Sequence, residues 1–474
     1  MKTDIIINSD DLKHEIAVLE DDKLMEYYFK LRGEEEIIGN IYCGVVKNVL
    51  PQMSAVFVDI GLKDKNVYLP FKNLISSDKG KNLGDIVYVQ VVKGSLGNKS
   101  PEVTEKITLP GKFVVYLPTS PQHRVFLSQK IKDREKREKL LSLGRQYLPP
   151  VGSIILRTES AEVTESEIRK EIKDLQVLWS RIEVKKRLAP CPGLVWRNIG
   201  IENEIIRDTP LSTLNSVIVT SPTEYGLILD FAATYVPSLK DKIKPYYDKK
   251  DIFELFNIEK DIKNIYKPRV DLPSGAYLLI EHSSAAWVID VNSGGYVGTP
   301  EASATFEETA FCVNMEAIPE IVRQIRLRDL SGIIIIDFIN IKNPKRKNLI
   351  YETLRKEMRC DRAKHKILPF NSLGLVEISR ERKYGPLFYN ITEECKYCRG
   401  SGYVLSKDIL FNEIKRVIKK FSMRGVRTCH LDVNELLAEE LKYKFELLEK
   451  EENVVINIRP NKTLPYDDYR ITIK

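Results

Sequence analysis

Two stretches of the chain set an unbroken apolar run directly before an aspartate. Ala285-Ala286-Trp287-Val288-Ile289 leads into Asp290-Val291-Asn292-Ser293-Gly294-Gly295, and Gly332-Ile333-Ile334-Ile335-Ile336 leads into Asp337. Short apolar runs rich in β-branched residues and closed by polar or glycine turns predict buried strands. Each strand then carries a carboxylate to its rim, where ligands of sheet-based folds bind, and neighbouring strands would bring both carboxylates to one site. Between them, residues from about 316 to 330 predict a helix, because Ile318, Ile321, Val322 and Ile325 share one face. Pro319 falls near its expected start, where a missing N–H does no harm. Arg323, Arg326 and Arg328 lie off that face and read either as solvated charges or as phosphate contacts.

Elsewhere the period changes. Residues 1–37 hold apolar strands at 5–7 and 15–19 and an acidic run at 34–36, too little to fold alone, and so predict the completion of a sheet formed later. Residues 39–49, 54–61, 66–70 and 84–91 are short β-branched strands separated by Gly, Pro and Asp turns, the pattern of a small closed barrel of OB-fold type. Such barrels stack single-stranded bases on aromatic rings while lysines follow the backbone. Phe57 and Tyr68, on adjacent predicted strands, suit that platform, although for any one aromatic in a strand a place in the core is the plainer reading. Lys99 lies in the polar loop Gly97-Asn98-Lys99-Ser100 and can be a simple surface charge.

Residues 111–190 predict strands at 112–117 and 153–156 with charged helices; the mixed signs over 130–145 describe an exposed, ion-paired face. Arg157 and Thr158 end the second strand. A guanidinium fork beside a hydroxyl suits a terminal phosphate, although taken alone the pair reads more simply as a surface Arg and a turn Thr. Pro190-Cys191-Pro192-Gly193 marks a hinge, beyond which residues 216–219, 225–229 and the helix-like 251–266 give another α/β segment. Basic stretches at 342–347 and 355–366 follow Asp337. Cys395-Lys396-Tyr397-Cys398 is a lone Cys-x-x-Cys, and residues 404–474 predict a small helix-and-strand domain.

Composition adjusts this picture only slightly. At 474 residues the length fits about three domains. Hydrophobic residues at 43% and charged residues at 30% are ordinary for a soluble globular protein. The net charge of +7 permits a polyanionic partner without demanding one. Seven scattered cysteines do not form a disulfide framework, so a reducing compartment is the simpler expectation. No signal pattern opens the chain and no apolar run approaches the roughly 20 residues that span a bilayer, which predicts a soluble, cytoplasmic protein.

Two strand-end carboxylates flanked by basic residues suit a hard divalent cation such as Mg²⁺, with Asp290 and Asp337 as the protein's share of ligands. A cation there would serve attack of water on a phosphodiester, and Asn292, on Asp290's side of the strand, could donate to the scissile phosphate. The plainer alternative is that each Asp merely ends a strand. One Cys-x-x-Cys supplies two of the four ligands a structural zinc takes. Cys429 and His430 are possible partners, but a symmetric dimer giving two thiolates per subunit solves the count with identical residues. Gly294-Gly295-Tyr296-Val297-Gly298 does not match the dinucleotide-binding spacing.

In order and spacing, five segments together resemble the RNase E/G endoribonucleases over nearly the whole chain. They are Leu272-Pro273-Ser274-Gly275, Val288-Ile289-Asp290-Val291-Asn292, Glu307-Glu308-Thr309-Ala310-Phe311, Arg323-Gln324-Ile325-Arg326-Leu327-Arg328-Asp329-Leu330 and Ile334-Ile335-Ile336-Asp337-Phe338. The likeness is nearer the family's shorter branch, since no long disordered extension follows residue 474. The resemblance implies a multidomain α/β and β fold: an RNase H-like domain split between residues 1–37 and 191–265, an OB-fold at 38–110, a 5′-sensor region at 111–190, a DNase I-like catalytic domain at 266–390, a zinc-link at 391–403 and a small C-terminal α/β domain at 404–474. It places catalytic Mg²⁺ on Asp290 and Asp337 with Asn292 assisting, RNA on Phe57, Tyr68 and Lys99, and a 5′-monophosphate on Gly111, Val115, Arg157 and Thr158. Cys395 and Cys398 would share Zn²⁺ between two subunits, giving a homodimer or a homotetramer. The implied activity is Mg²⁺-dependent cleavage of single-stranded, A/U-rich RNA to 5′-phosphate and 3′-hydroxyl ends, favouring 5′-monophosphorylated RNA, in rRNA processing and mRNA decay. A non-catalytic RNA-binding scaffold is the alternative. Three residues depart from the family pattern: Tyr68 where Phe is usual, Asn340 where Asp is common, and Lys396 where Pro is frequent.

Overall fold

Strands Thr3–Ser9, Lys13–Glu20 and Lys23–Leu31 form an antiparallel meander, and Thr3–Ser9 pairs on its other side, in parallel, with Leu214–Val219. Ile243–Pro245 extends this sheet. The first strands thus take their missing partners from far along the chain, as their short length requires. Both faces are covered: Ile5 and Ile7 pack with Ile205, Val217 and Phe231, while Ile6 and Ala17 pack with Ile252, Phe253 and Leu327. This is a computed structural model, and it describes residues 2–473 apart from 34–35, 64, 76–79, 95–99, 284, 297–304, 399 and 401.

Strands Ile41–Leu50, Ala55–Asp59, Val67–Pro70, Glu102–Thr104 and Ile86–Lys93 pair in that order, and the last returns to the first, closing a five-stranded OB-like barrel. Gly193–Trp196 joins the barrel's Ile41–Leu50 strand with Gly193 opposite Cys43. That pairing brings Cys43 and Cys191 into a disulfide. One bond is not a disulfide framework, but this pair was not foreseen: the two are 148 residues apart, and their adjacency depends on a strand pairing that spacing does not reveal. Leu109–Pro110, Val114–Leu117, Val125–Leu127 and Ser153–Leu156 make a four-stranded sheet. Helix Glu165–Leu188 packs against it through Ile168, Ile172, Leu175 and Ile182, and a Thr164/Glu167 capping box fixes its start.

The two aspartate strands lie at the centre of a six-stranded sheet, ordered Arg269–Asp271, Tyr277–His282, Ala286–Asn292, Gly332–Asp337, Leu375–Arg380, His365–Ile367. The helix between them runs from Phe306 to Leu327, beginning earlier than the expected 316. A capping box of Thr305 and Glu308 starts it, so the polar Glu307-Glu308-Thr309 is a helix terminus and not a loop. Pro319 consequently lies inside the helix. Residues 1 to 391 form one compact unit, Met1–Ile391, and Thr392–Lys474 forms a second. In the second, helices Lys407–Met423 and Glu435–Glu452 bury Leu410, Ile414, Leu441 and Phe445 with a three-stranded sheet centred on Thr428–Val433. Among the described residues, no helix is long and apolar enough to cross a membrane.

Candidate active site

The aspartate strands run parallel and in register, with Asp290 opposite Asp337. Alternation along the pleat sends Trp287, Ile289, Val291, Ile334 and Ile336 into the core beneath, and turns Asp290, Asn292 and Asp337 to the other face. Asn292 Nδ2 donates to Asp290 Oδ2 at 2.8 Å, which fixes that carboxylate's orientation. Partial burial, and then the neighbouring charge of Asp290, hold the Asp337 carboxyl above its ordinary value. Two mutually repelling, all-oxygen donors on an accessible rim fit a hard divalent cation that keeps several waters. Among the described residues, no group of three or more His, Cys, Asp or Glu side chains forms a denser metal site.

The turn beyond Asn292 is held by a second turn. Gly275 and Gly294 both take positive φ, +89° and +49°, and Gly295 N–H donates to Gly275 O at 3.2 Å. A Cβ on Gly294 would stand 2.6 Å from Gly275 O, so the two turns approach closely because neither carries a side chain. The Ser274 N–H donates to Glu316 of the long helix at 3.1 Å, which anchors the pair. Beyond Asp337, the buried amide of Asn314 donates to Ile339 O at 2.8 Å and accepts from Ile339 N–H at 3.0 Å. Sequence reasoning missed Asn314; its only signal was an amide in the helix's apolar stripe. Asn340 is exposed just beyond this clasp.

The long helix's arginines do not face the aspartates. Arg326 donates to Glu20 at 2.6 and 3.0 Å and to Glu26 at 2.8 Å. Arg323 pairs with Glu320 and reaches Leu24 O at 3.1 Å, and Arg328 donates to Gln324 at 2.6 Å. Neither solvated nor free for phosphate, they tie this helix to the first sheet or brace the helix itself.

Phe57 and Tyr68 are register partners on neighbouring barrel strands, half-buried, with ring centroids 5.9 Å apart. Lys99 lies outside the described residues. In the four-stranded sheet, Arg157 Nη1 donates to Gly111 O at 2.8 Å and to Asp208 Oδ1 at 2.7 Å. Thr158 Oγ1 lies 3.0 Å from Ser128 Oγ, and Val115 sits on the adjoining strand opposite Ile155. Glu171 accepts the backbone N–H groups of Lys112, Phe113 and Val114 at 2.6 to 2.7 Å, fixing the bend after Gly111. A Cβ on Gly111 would meet that carboxylate at 2.6 Å. Asp208, also missed from sequence, orients Arg157. Burial would raise its carboxyl, but Arg207 and then Arg157 hold it far below the carboxylate range.

The sequence profile of the Ribonuclease E/G family matches residues 108–383, more than half of the chain. The chain belongs to the ribonuclease E/G family. It is 31% identical over 435 residues to Ribonuclease G of Escherichia coli strain K12, covering 88% of each protein. It is 33% identical over 432 residues to Ribonuclease G of Haemophilus influenzae, covering 88% of this chain and 87% of that one. To Ribonuclease E of Nostoc it is 32% identical over 405 residues, covering 83% of this chain and 58% of the other.

In this ribonuclease E/G family member the Cys-x-x-Cys opens the second unit. The exposed Cys395 thiol is held below its ordinary value by hydrogen bonds from the Cys398 and Tyr397 backbones and then from the Cys398 side chain. That environment favours a thiolate ligand. Cys429 is fully buried among Leu431, Leu437 and Phe445, and burial pushes its thiol up.

Proposed function

We propose that this chain, an endoribonuclease of the ribonuclease E/G family, cuts single-stranded, A/U-rich RNA in a Mg²⁺-dependent reaction that leaves 5′-phosphate and 3′-hydroxyl ends. The reading rests above all on the parallel register that sets Asp290 beside Asp337. Asp290 and Asp337 would hold Mg²⁺, and the cation, when bound, would offset charge developing on the attacked phosphate. Asn292 fixes the Asp290 carboxylate through its 2.8 Å hydrogen bond and so sets the geometry of the pair. Repulsion between the two carboxylates, which helps to hold the Asp337 carboxyl above its ordinary value, would be relieved by a bound cation.

In the same reading, Phe57, Tyr68 and Lys99 take RNA on the barrel, and Gly111, Val115, Arg157 and Thr158 take a 5′-monophosphate. The 2.8 Å bond from Arg157 to Gly111 O supports the second assignment, because it aligns the guanidinium fork along the loop. The first sheet and the aspartate sheet correspond to RNase H-like and DNase I-like domains. Cys395 and Cys398 would share Zn²⁺ with a second copy, giving a dimer or a pair of dimers, and the setting is cytoplasmic rRNA maturation and mRNA turnover. Incubation of the protein with a 5′-monophosphorylated single-stranded oligomer, with and without Mg²⁺, tests the whole reading. Cleavage only with Mg²⁺, giving 5′-phosphate and 3′-hydroxyl ends, is expected; RNA binding without cleavage under both conditions would leave a scaffold instead.

A further inference from the structure

Lys112, directly after Gly111 in the four-stranded sheet, is only 2% exposed, and lysine is among the residues least often buried whole. Its Nζ donates to Arg207 O at 2.7 Å and to Thr209 O. Those two carbonyls flank Asp208, whose carboxylate accepts from Arg207 at 3.0 and 3.1 Å and from Arg157 at 2.7 Å. Arg207 donates in turn to Pro110 O at 3.1 Å, and Arg362 donates to Ile205 O at 3.2 Å and to Thr209 Oγ1 at 3.0 Å. The lysine therefore holds the backbone on either side of the carboxylate that orients Arg157.

The ammonium makes no ion pair among the described residues; its partners are neutral carbonyls. A charge taken out of water with no carboxylate against it is costly, and such groups gather at functional sites. Burial lowers its hold on the proton to about 8 from 10.5; Glu159 and Asp208 oppose that fall, and Arg157 and Arg362 add to it by repulsion. A phosphate on Arg157 would relieve that repulsion. The charged groups around the lysine are Glu159 of the turn Thr158–Glu162, Arg157 before it, Arg207 and Asp208 of helix Ile201–Asp208, Glu171 of helix Glu165–Leu188 and Arg362. All are carboxylates and guanidiniums, side-chain types that hold one charge between about pH 7 and 9, so the lysine is the member of this cluster suited to change charge there.

Resting on the reading that Arg157 takes a 5′-monophosphate, we propose that Lys112 is a positioning residue of that pocket: its ammonium pins the carbonyls on both sides of Asp208, so that Asp208 holds the Arg157 fork in place, and adds its positive charge to the fork's. The neutral amine keeps two N–H donors for the two carbonyls but gives weaker bonds and no charge. Loss of the proton therefore loosens the pocket without dismantling it. Discrimination between 5′-monophosphate and 5′-hydroxyl ends is strongest while the ammonium is charged. A lysine that served only as a brace would stabilise the fold and contribute nothing to that choice.

The test is the ratio of kcat/KM for 5′-monophosphorylated over 5′-hydroxyl RNA of one sequence, measured on the full-length protein in saturating Mg²⁺ at about pH 7 to 9. Effects on the carboxylate pair, on the bases and on the amount of folded protein enter both RNAs alike and cancel in the ratio. The terminal phosphate completes its own ionisation lower, near a pKa of about 6. In the unaltered protein the ratio should fall about 3- to 10-fold as pH rises through this window, the effect of weakening one charge-assisted contact. Lys112→Met should show the lower ratio at every pH, with a flat profile, and Lys112→Gln, neutral but polar, should do the same. A level ratio in the unaltered protein, or a fall that persists in both variants, would overturn the proposal while Arg157→Ala still erases the preference. A preference that Arg157→Ala leaves intact would overturn the sensor reading and this proposal with it.

Discussion

Arg157, a residue of ordinary appearance in the sequence, is given a fixed orientation by its surroundings. Its guanidinium bridges Gly111 O and the Asp208 carboxylate, so its free edge is directed by two partners from different parts of the chain. Replacing it with Ala should erase any preference for 5′-monophosphate over 5′-hydroxyl RNA, measured as the ratio of initial cleavage rates, and leave cleavage of 5′-hydroxyl RNA near its starting value. An unchanged ratio would count against the sensor. At this scale the sequence was informative wherever a side chain's neighbours are local. Asp290, Asn292 and Asp337 are legible because an apolar run places each at a strand end. Asp208 and Asn314 were not, because what they hold is 51 and 25 residues away.

Among elements, the attachment of the long helix to the first sheet is the one that patterning misread. Arg326 looked like a surface or phosphate-binding residue, yet it is buried against Glu20 and Glu26. Helical periodicity shows that it leaves the helix's apolar face but not that a sheet from the N-terminus covers it. Arg326→Met would strand two carboxylates and should cost about 3–5 kcal/mol in urea unfolding. Burial alone would raise the Glu26 carboxyl, but Arg362 and Arg326 bring it down to about 2 from 4.5. A depressed carboxyl stabilises the fold fully above its ordinary value and loses that contribution as pH falls from 4.5 toward 2. Stability should therefore decline over that window, and the decline should flatten in Arg326→Met. A parallel acid limb in both proteins would show that the pair does not act this way. The Cys43–Cys191 bond belongs to this scale too, since it follows from one strand joining the barrel.

For the whole molecule, the barrel and the aspartate sheet were readable because their strands are short, β-branched and punctuated by turn residues. The first sheet was readable only as an incomplete piece. In the proposed reading, assembly beyond one chain would rest on the cysteines at the start of the second unit. Cys395→Ser should lower bound zinc and solution mass together, and a mutant that loses zinc while keeping its oligomeric mass would refute a shared site. The central claim is that two in-register carboxylates carry the cleavage of RNA. Its most direct measurement is the cleavage rate and RNA affinity of Asp290→Asn and Asp337→Asn in saturating Mg²⁺. Each variant should lose cleavage while binding single-stranded RNA as the parent does; full cleavage by either one would contradict the account.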